Sequence, residues 1–547
     1  MTLELIIRDM KGIVFPLAFG LLLAPFFARA QFECATNADN TITITGYTGI
    51  GGNVIIPATV NGLAVSAIGE GAFSGDTNVT GITLPNSVTE IEAAAFEHCF
   101  NLTNILMGTN VQDIGDYAFN ECTSLVSVSL PDSVVNIGLE AFYECDALGA
   151  VNVGTGVLNI GSYAFADTAF TNIVLPDGVE DIGDHAFYEC SLTSVVIPGS
   201  VPSIGDFAFA GSTLTSVTIG SGVVSVGDSA FFYCTGLSNL TIPDSVTDIG
   251  QSAFSYCGFT SVAIPIGVLN IGDSAFASCN SLTNITIPAS VTNIGDAAFD
   301  DTRLTSIIFP NAPTSIGGYA FSQTSLTNIS IPADVIGVGE GWFAYCSDLS
   351  TATIANGVNY IGDYAFFACV DLTNIAIPSS VTGIGNCAFA GCSSLTSITI
   401  PSNVTSIGDF GFESCLSLRA IFFQGDAPSV GESAFIGGVV TSPLNATAYY
   451  LPGTTGWGSF STNTGLQSIL WNPMIQTSDD NFGVRGNQFG FDITGTVDIP
   501  IVVEACTSLA NPVWVPLQSL ALTDGLFYFG DPQWTNYSAR YYRISSP

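Results

Sequence analysis

Along most of the chain, polar and apolar positions follow one order that returns every 22 or 23 residues. Its phase is marked by a phenylalanine whose commonest setting is I-G-x-x-A-F, repeated seventeen times from Phe73 to Phe435. Spacing this constant is the mark of a solenoid, because an insertion at an arbitrary place would break the stacking of each turn on its neighbours. Residues 284–287 alternate polar and apolar and are rich in β-branched side chains, which predicts a short strand with Ile285 and Ile287 pointing inward. Pro288 ends it, and Val291 and Ile294 lead into Gly295, a position that is glycine in sixteen copies and Glu92 in the other. A near-constant glycine implies either positive φ or close backbone approach. Asp296 is placed to cap a short helical turn containing Ala298 and Phe299.

No unit of this kind folds alone. About six inward apolar side chains contribute roughly 2 kcal/mol each, whereas fixing some 22 backbones costs about 1 kcal/mol or more apiece. Neighbouring turns must supply the difference. The expected product is a stack of turns with one parallel β-sheet running along a face.

The rest of the chain divides around this array. Residues 1–30 hold Arg8 and Lys11, an apolar run over 12–27, and Ala28-Arg29-Ala30, the pattern of a signal peptide cleaved after Ala30. Residues 31–67 read as an N-terminal cap and first turn, with entry strands at 41–45 and 53–56, and residues 68–452 as repeats ending in a strand at 447–451. Residues 453–485, rich in Gly, Ser, Thr and Asn, read as a cap tail and linker. From 486 to 547 short alternating segments replace the period, which predicts a small antiparallel β-sandwich.

Composition narrows the function. The 547 residues are 47% hydrophobic, yet the formal net charge is −38, from 46 acidic against 8 basic residues. So few cations exclude nucleic-acid binding and attachment to an anionic membrane surface. With the first 30 residues removed, five arginines and no lysine face 44 acids. Charged residues are only 10% of the chain, so a large core is expected and not disorder.

Three columns carry the candidate chemistry. Eleven of fourteen cysteines (Cys99, Cys122, Cys145, Cys190, Cys234, Cys257, Cys279, Cys346, Cys369, Cys392 and Cys415) stand three residues after the marker phenylalanine. Metal sites want cysteines paired two to four residues apart. A column that elsewhere accepts Thr168, Ser212, Thr302 and Thr324 reads instead as small, buried and hydrogen-bonding, although adjacent rungs are close enough for a disulfide. Cys34 and Cys506 lie outside it. An acidic column three residues before the phenylalanine includes Asp116, Asp184, Asp206, Asp228, Asp273, Asp296, Asp363 and Asp409. Calcium needs six to eight converging oxygens, and one carboxylate per turn reads as structural capping. The only histidines are His98 and His185, and His185 shares its column with Tyr163 and Phe207. Paired carboxylates can cleave glycosides, but here they repeat with the scaffold, so no catalytic residue, metal or cofactor is expected. The third column is outward-facing. Ser216 with Thr218, Asn239 with Thr241, Asn284 with Thr286, Asn328 with Ser330, and Ser397 with Thr399 flank inward residues as a neutral hydroxyl and amide array. Either β-propensity and cross-strand pairing explain it, or it is a broad face for glycans or extended proteins.

The pattern C-x-x-L-T-x-I-x-I-P-x-x-V-x-x-I-G-x-x-A-F, seen around Leu282 to Phe299 and Leu395 to Phe412, is similar to the BspA-type leucine-rich repeat of secreted and surface bacterial proteins. It spans about residues 41–452. The resemblance implies a right-handed, curved leucine-rich-repeat solenoid and an adhesive role towards an extracellular protein or glycan, without membrane insertion once the signal is cleaved. It leaves the oligomeric state open. The tail, with Ala510-Asn511-Pro512-Val513-Trp514 and Arg540-Tyr541-Tyr542-Arg543-Ile544, resembles C-terminal modules of large secreted bacterial proteins. The expected function is secreted or cell-surface adhesion and recognition, non-catalytic; a structural surface coat and an extracellular polysaccharide-active enzyme are the alternatives.

Overall fold

The computed structural model describes residues 31–309, 315–437 and 442–545; the expected signal peptide lies outside them. The chain forms two compact units, residues 1–259 and 260–547.

In the first unit most turns contribute two strands where one was expected; the turn around Asn172 keeps only an isolated bridge to Ser194 in place of the first. The predicted strand is present, as in Asn104–Leu106, Ser127–Ser129 and Ala150–Asn152, which pair in parallel and in register. A second ladder is built from the two residues before the glycine: Asp113–Ile114, Asn136–Ile137 and Asn159–Ile160 also pair in parallel. A two-residue strand is too short to show alternation, so only the neighbouring turn reveals it.

The expected helical turn does not form. Tyr117 and Glu121, which flank Phe119, adopt φ of 59° and 53°, and a left-handed residue interrupts an α-helix at a cost of about 1–2 kcal/mol. The backbone donors alternate instead. The N–H groups of Tyr117, Phe119 and Glu121 reach the next turn, donating to the carbonyls of Leu139, Ala141 and Tyr143 at 2.7–2.8 Å. Those of Ala118, Asn120 and Cys122 donate three residues back, to Gly115, Tyr117 and Phe119. Each left-handed residue therefore aims a donor across the stack, and that hydrogen bond offsets its conformational cost.

The glycine before this segment answers to proximity. Gly138 lies outside the left-handed region, and a Cβ there would stand 2.6 Å from the backbone nitrogen of Asp116. Inside the turn the marker phenylalanines stack ring on ring: Phe119 and Phe142 at 5.1 Å and 5°, Phe142 and Phe165 at 5.2 Å and 1°. All three are fully buried. Tyr47 closes the N-terminal end, 5.1 Å from Phe73, on a strand (Ile42–Tyr47) paired antiparallel with Phe32–Thr36.

The second unit repeats this turn, with its own rings stacked from Phe276–Phe299 at 5.6 Å to Phe412–Phe435 at 5.3 Å. Its end departs from expectation. Thr447–Tyr450 is not the last strand, because Gln467–Leu470 pairs with it in parallel. Between them runs the one α-helix among the described residues, Trp457–Thr464. Its buried Phe460 lies 6.0 Å from Phe435 and shields the end of the stack. The expected linker is likewise structured, since Met474–Ile475 and Gly483–Arg485 pair with Gln488–Thr494.

Two antiparallel sheets follow. One joins those three strands to Leu526–Asp531, and the other places Ile499–Cys506 between Val515–Leu522 and Tyr541–Ser545. Phe491, Ile493, Ile499, Ile501, Val503, Leu522 and Phe529 form their core together with Phe422 and Tyr449 of the solenoid. Trp471 adds a hydrogen bond from Nε1 to the carbonyl of Pro500 at 2.8 Å. The module is docked on the last turns, not tethered to them.

Two substitutions test this packing. Phe142→Ala empties one ring position and is expected to cost about 3–5 kcal/mol in denaturant unfolding. Gly138→Ala is expected to destabilise as well, although alanine at an unstrained site stabilises by about 0.4–1 kcal/mol through the unfolded chain. A neutral or stabilising Gly138→Ala would contradict the close approach.

Candidate recognition face

Parallel, in-register pairing turns columns of sequence into columns in space. In the first unit Ser216 aligns with Asn239 and Thr218 with Thr241. Thr218, Asn239 and Thr241 are exposed, whereas Val217 beside them is buried. In the second unit Asn284, Thr286, Asn328 and Ser330 are exposed, Asn328 aligns with Thr351, and Ser330 with Thr353. Ser397 and Thr399 are only half-buried positions, because the next strand places Ala420 and Phe422 beside them and Phe422 belongs to the module's core. In the first unit the structure thus aligns the expected pairs into two outward columns, whereas in the second unit they lie on three separate sheets, each pair beside its neighbouring strand.

The hydrogen bonds separate scaffold from free surface. Hydroxyls one position earlier in the turn bridge to the preceding turn: Thr103 donates to the carbonyl of Thr80 at 2.8 Å, and Thr283 to that of Thr260 at 3.1 Å. Amides of Asn284 and Asn328 donate to the adjacent threonine hydroxyls at 2.9 and 3.1 Å. The hydroxyls of Thr218, Thr241, Thr286 and Ser330 make no side-chain hydrogen bond among the described residues. Sequence reasoning missed the aliphatic members of the same column. Val196 aligns with Thr218 and is 64% exposed, and Ile308 in the second unit is 84% exposed. The period itself would have flagged them; selecting Ser/Asn–Thr pairs passed them over.

The acidic column binds backbone, in a geometry the sequence did not predict. Each aspartate accepts from the N–H of the residue in its own column one turn on, not from its own turn. Asp116 accepts from Leu139, Asp184 from Asp206, Asp206 from Asp228, and Asp228 from Gln251, at 2.7–2.9 Å. In the second unit Asp273, Asp296, Asp363 and Asp409 accept from Asp296, Gly318, Asn386 and Glu432 at 2.6–2.8 Å.

The cysteine column is also built into the stack. Cys99, Cys122, Cys145, Cys190, Cys234, Cys257, Cys346, Cys369, Cys392 and Cys415 each point a thiol at the marker phenylalanine's carbonyl one turn back, at 2.9–3.2 Å. Cys279 is buried in the same column, and all fourteen cysteines are free thiols. Burial pushes the thiols of Cys99, Cys190, Cys234 and Cys415 up to about 12 and that of Cys346 to about 11, which withholds the reactive thiolate at neutral pH. Among the described residues, no group of three or more His, Cys, Asp or Glu is placed to hold a metal ion.

His185 lies between Tyr163 at 4.3 Å and Phe207 at 4.8 Å, both near-parallel, and burial lowers its proton affinity. His98 is half-buried beside Glu121, with Nε2 3.3 Å from the carboxylate. Glu144, Asp167 and Glu189 occupy one left-handed column on successive turns. Residues 31–259 contain no lysine or arginine to balance them. Desolvation first, then the charges of Glu189, Glu144 and Asp146, push Asp167 up to about 6.

With this geometry in hand, the likeness to known proteins is specific. The BspA type leucine rich repeat region, in six copies, matches residues 53–169, 158–283, 269–392 and 359–442, well over half of the chain. The chain belongs to the BspA-type leucine-rich-repeat family. No curated protein matches it significantly in sequence. Among solved structures, this BspA-type chain is similar to a leucine-rich repeat protein from Bacteroides ovatus ATCC 8483, at 26% identity and a TM-score of 0.50, over 81% of this chain and 98% of that one. A leucine rich cell surface protein from Faecalibacterium prausnitzii A2-165 is 26% identical over 80% of this chain and 97% of its own, with a TM-score of 0.31. The pneumococcal vaccine antigen PcpA is 15% identical over 81% and 96%, with a TM-score of 0.32. Among the described residues, no helix of the BspA-type chain is long and apolar enough to cross a membrane.

Two outcomes are expected. Folded Asp167 holds its proton to about pH 6, whereas an unfolded aspartate releases it near 4. The native state therefore binds the extra proton within that window, and stability falls as pH rises through it. Asp167→Asn should raise stability at pH 7.5, by less than about 1 kcal/mol at this partly exposed site, and should not raise it at pH 3.5; thermal unfolding at both pH values checks this. Maleimide should label exposed Cys34 in the native protein, then half-buried Cys387, and reach the column cysteines only on denaturation.

Proposed function

We propose that this BspA-type protein is a secreted or cell-surface adhesion and recognition protein, binding an extracellular protein or glycan along its outward strand columns without catalysing a reaction. The observation that carries the reading is the set of exposed, unpartnered hydroxyls at Thr218 and Thr241, aligned on paired strands of the first unit, and at Thr286 and Ser330, on paired strands of the second. Fixed donors and acceptors at regular spacing suit an extended polymer, which gains affinity from many weak contacts. A net charge of −38 favours a neutral or basic partner over an anionic one.

The non-catalytic reading is supported by what the reactive side chains already do. The column aspartates hold backbone N–H groups, and the column thiols are buried far from their ionising range. The family's surface members and the signal-like residues 1–30 support the location.

The test uses the full chain, because separating the solenoid from the tail would uncover Phe422 and Tyr449. Interferometry against immobilised matrix proteins and polysaccharides should find at least one ligand. Replacing Asn284, Thr286, Asn328 and Ser330 together by alanine should weaken it at least about tenfold, since each lost hydrogen bond is worth about 0.5–1.5 kcal/mol, while leaving the thermal midpoint unchanged. Binding that ignores all four changes would defeat the strand-face reading.

A further inference from the structure

The strand columns do not account for the junction between the last solenoid turns and the C-terminal sheets. There the outward column changes character. Thr399 aligns with Phe422, and Phe422 with Tyr449. The two rings stack at 5.1 Å and are nearly covered by the module. The cover is incomplete at the ends of the strands. A cleft of about 520 Å³ opens there, between Ser402, Gln424, Phe422, Tyr449 and Trp471 on the solenoid side and Arg543 on the module's edge strand Tyr541–Ser545. Ligand pockets run to about 300–1,000 Å³, so the space suits one or two sugar rings.

Its lining divides by chemistry. The aromatic part is presented chiefly by half-buried Trp471, whose indole is held in place by its hydrogen bond to Pro500, with the nearly covered Phe422 and Tyr449 rings behind it. Exposed Ser402 and Gln424 supply groups that both donate and accept, and Arg543 supplies a donor only. The Nε of Arg543 binds Glu504 at 2.6 Å, and its guanidinium lies 4.5 Å over the Trp514 ring. Both contacts fix its position, and its terminal nitrogens have no hydrogen-bond partner among the described residues. A pyranose matches this division, because its C–H faces pack against aromatic carbon while its hydroxyls both donate and accept. A purely apolar ligand would leave the polar groups of Ser402, Gln424 and Arg543 unanswered, at about 1–3 kcal/mol for each one buried. Glu504 balances the one arginine, and the surrounding protein is strongly anionic, so the site favours an uncharged sugar over an acidic one.

We propose that this cleft is a carbohydrate-binding subsite that takes one or two pyranose units of a neutral glycan. It is a separate site from the strand columns and stands whether or not they bind anything.

The test titrates the full chain with cellohexaose, xylohexaose, mannohexaose and chitohexaose by calorimetry and saturation-transfer NMR, with hexagalacturonate and an extended neutral peptide as controls. At least one neutral oligosaccharide should bind. Ser402→Trp, which fills the cleft from an exposed position and leaves the core alone, should abolish binding with the thermal midpoint unchanged. Gln424→Ala should weaken it about tenfold, as expected for a lost hydrogen bond. The fourfold alanine variant at Asn284, Thr286, Asn328 and Ser330 should bind the oligosaccharide like the parent chain, which separates this site from the strand face. The proposal is overturned if no neutral oligosaccharide binds at millimolar concentration, if Ser402→Trp binds as well as the parent, or if hexagalacturonate or the peptide binds more tightly than every neutral sugar.

Discussion

Each turn of this protein has backbone donors that only its neighbour can satisfy. The alternating N–H groups around Phe119 show the arrangement: three reach the next turn and three close on their own. A buried unsatisfied donor costs about 1–3 kcal/mol, so a turn out of phase by one residue would lose several such bonds together. The constraint accounts for the 22 or 23-residue period, the glycine that lets one turn approach the next, and the aspartates that hold the next turn's N–H. It also explains the caps. Tyr47 and Phe460 lie where the ring stack would otherwise meet water.

The same constraint decides what the side chains are free to do. Residue types that elsewhere signal metals, nucleophiles or acid–base pairs recur here once per turn and are occupied in joining turns. On the outward strand face what is left free is uncharged, a mixture of hydroxyl, amide and aliphatic side chains. Only near the C-terminus does that face gain aromatic surface and a guanidinium, because Phe422, Tyr449 and Trp471 receive the module there. Recognition by an extended face and by a discrete cleft can thus share one scaffold without sharing residues.

Much of this was legible in the sequence. The period, the first strand of each turn, the inward isoleucines and the three columns follow from spacing and alternation. The second ladder was not, since Asn136–Ile137 and its partners are too short to alternate. The helical turn was misread because Asp, Ala and Phe near a cap position look helical in isolation; the left-handed Tyr117 and Glu121 are rewarded only by hydrogen bonds to the next turn. Composition likewise hid the last solenoid turn, as Trp457 and Phe460 were diluted by Gly, Ser and Thr. The docking of the tail did leave a signal. Phe422 and Tyr449 interrupt a column that is otherwise polar or aliphatic, with Trp471 just beyond the next strand, and aromatic side chains on an exposed face call for a cover.

The central claim is that neighbouring turns hold one another through the backbone. Native-state hydrogen exchange at Gly115, Gly138, Gly161, Gly183 and Gly205, which donate to isoleucine carbonyls one turn back at 2.7–3.1 Å, tests it directly. These amides should show strong and closely similar protection and should exchange only when the stack opens. Exchange at the rates of an unstructured peptide, or protection at one glycine with none at the next, would contradict it.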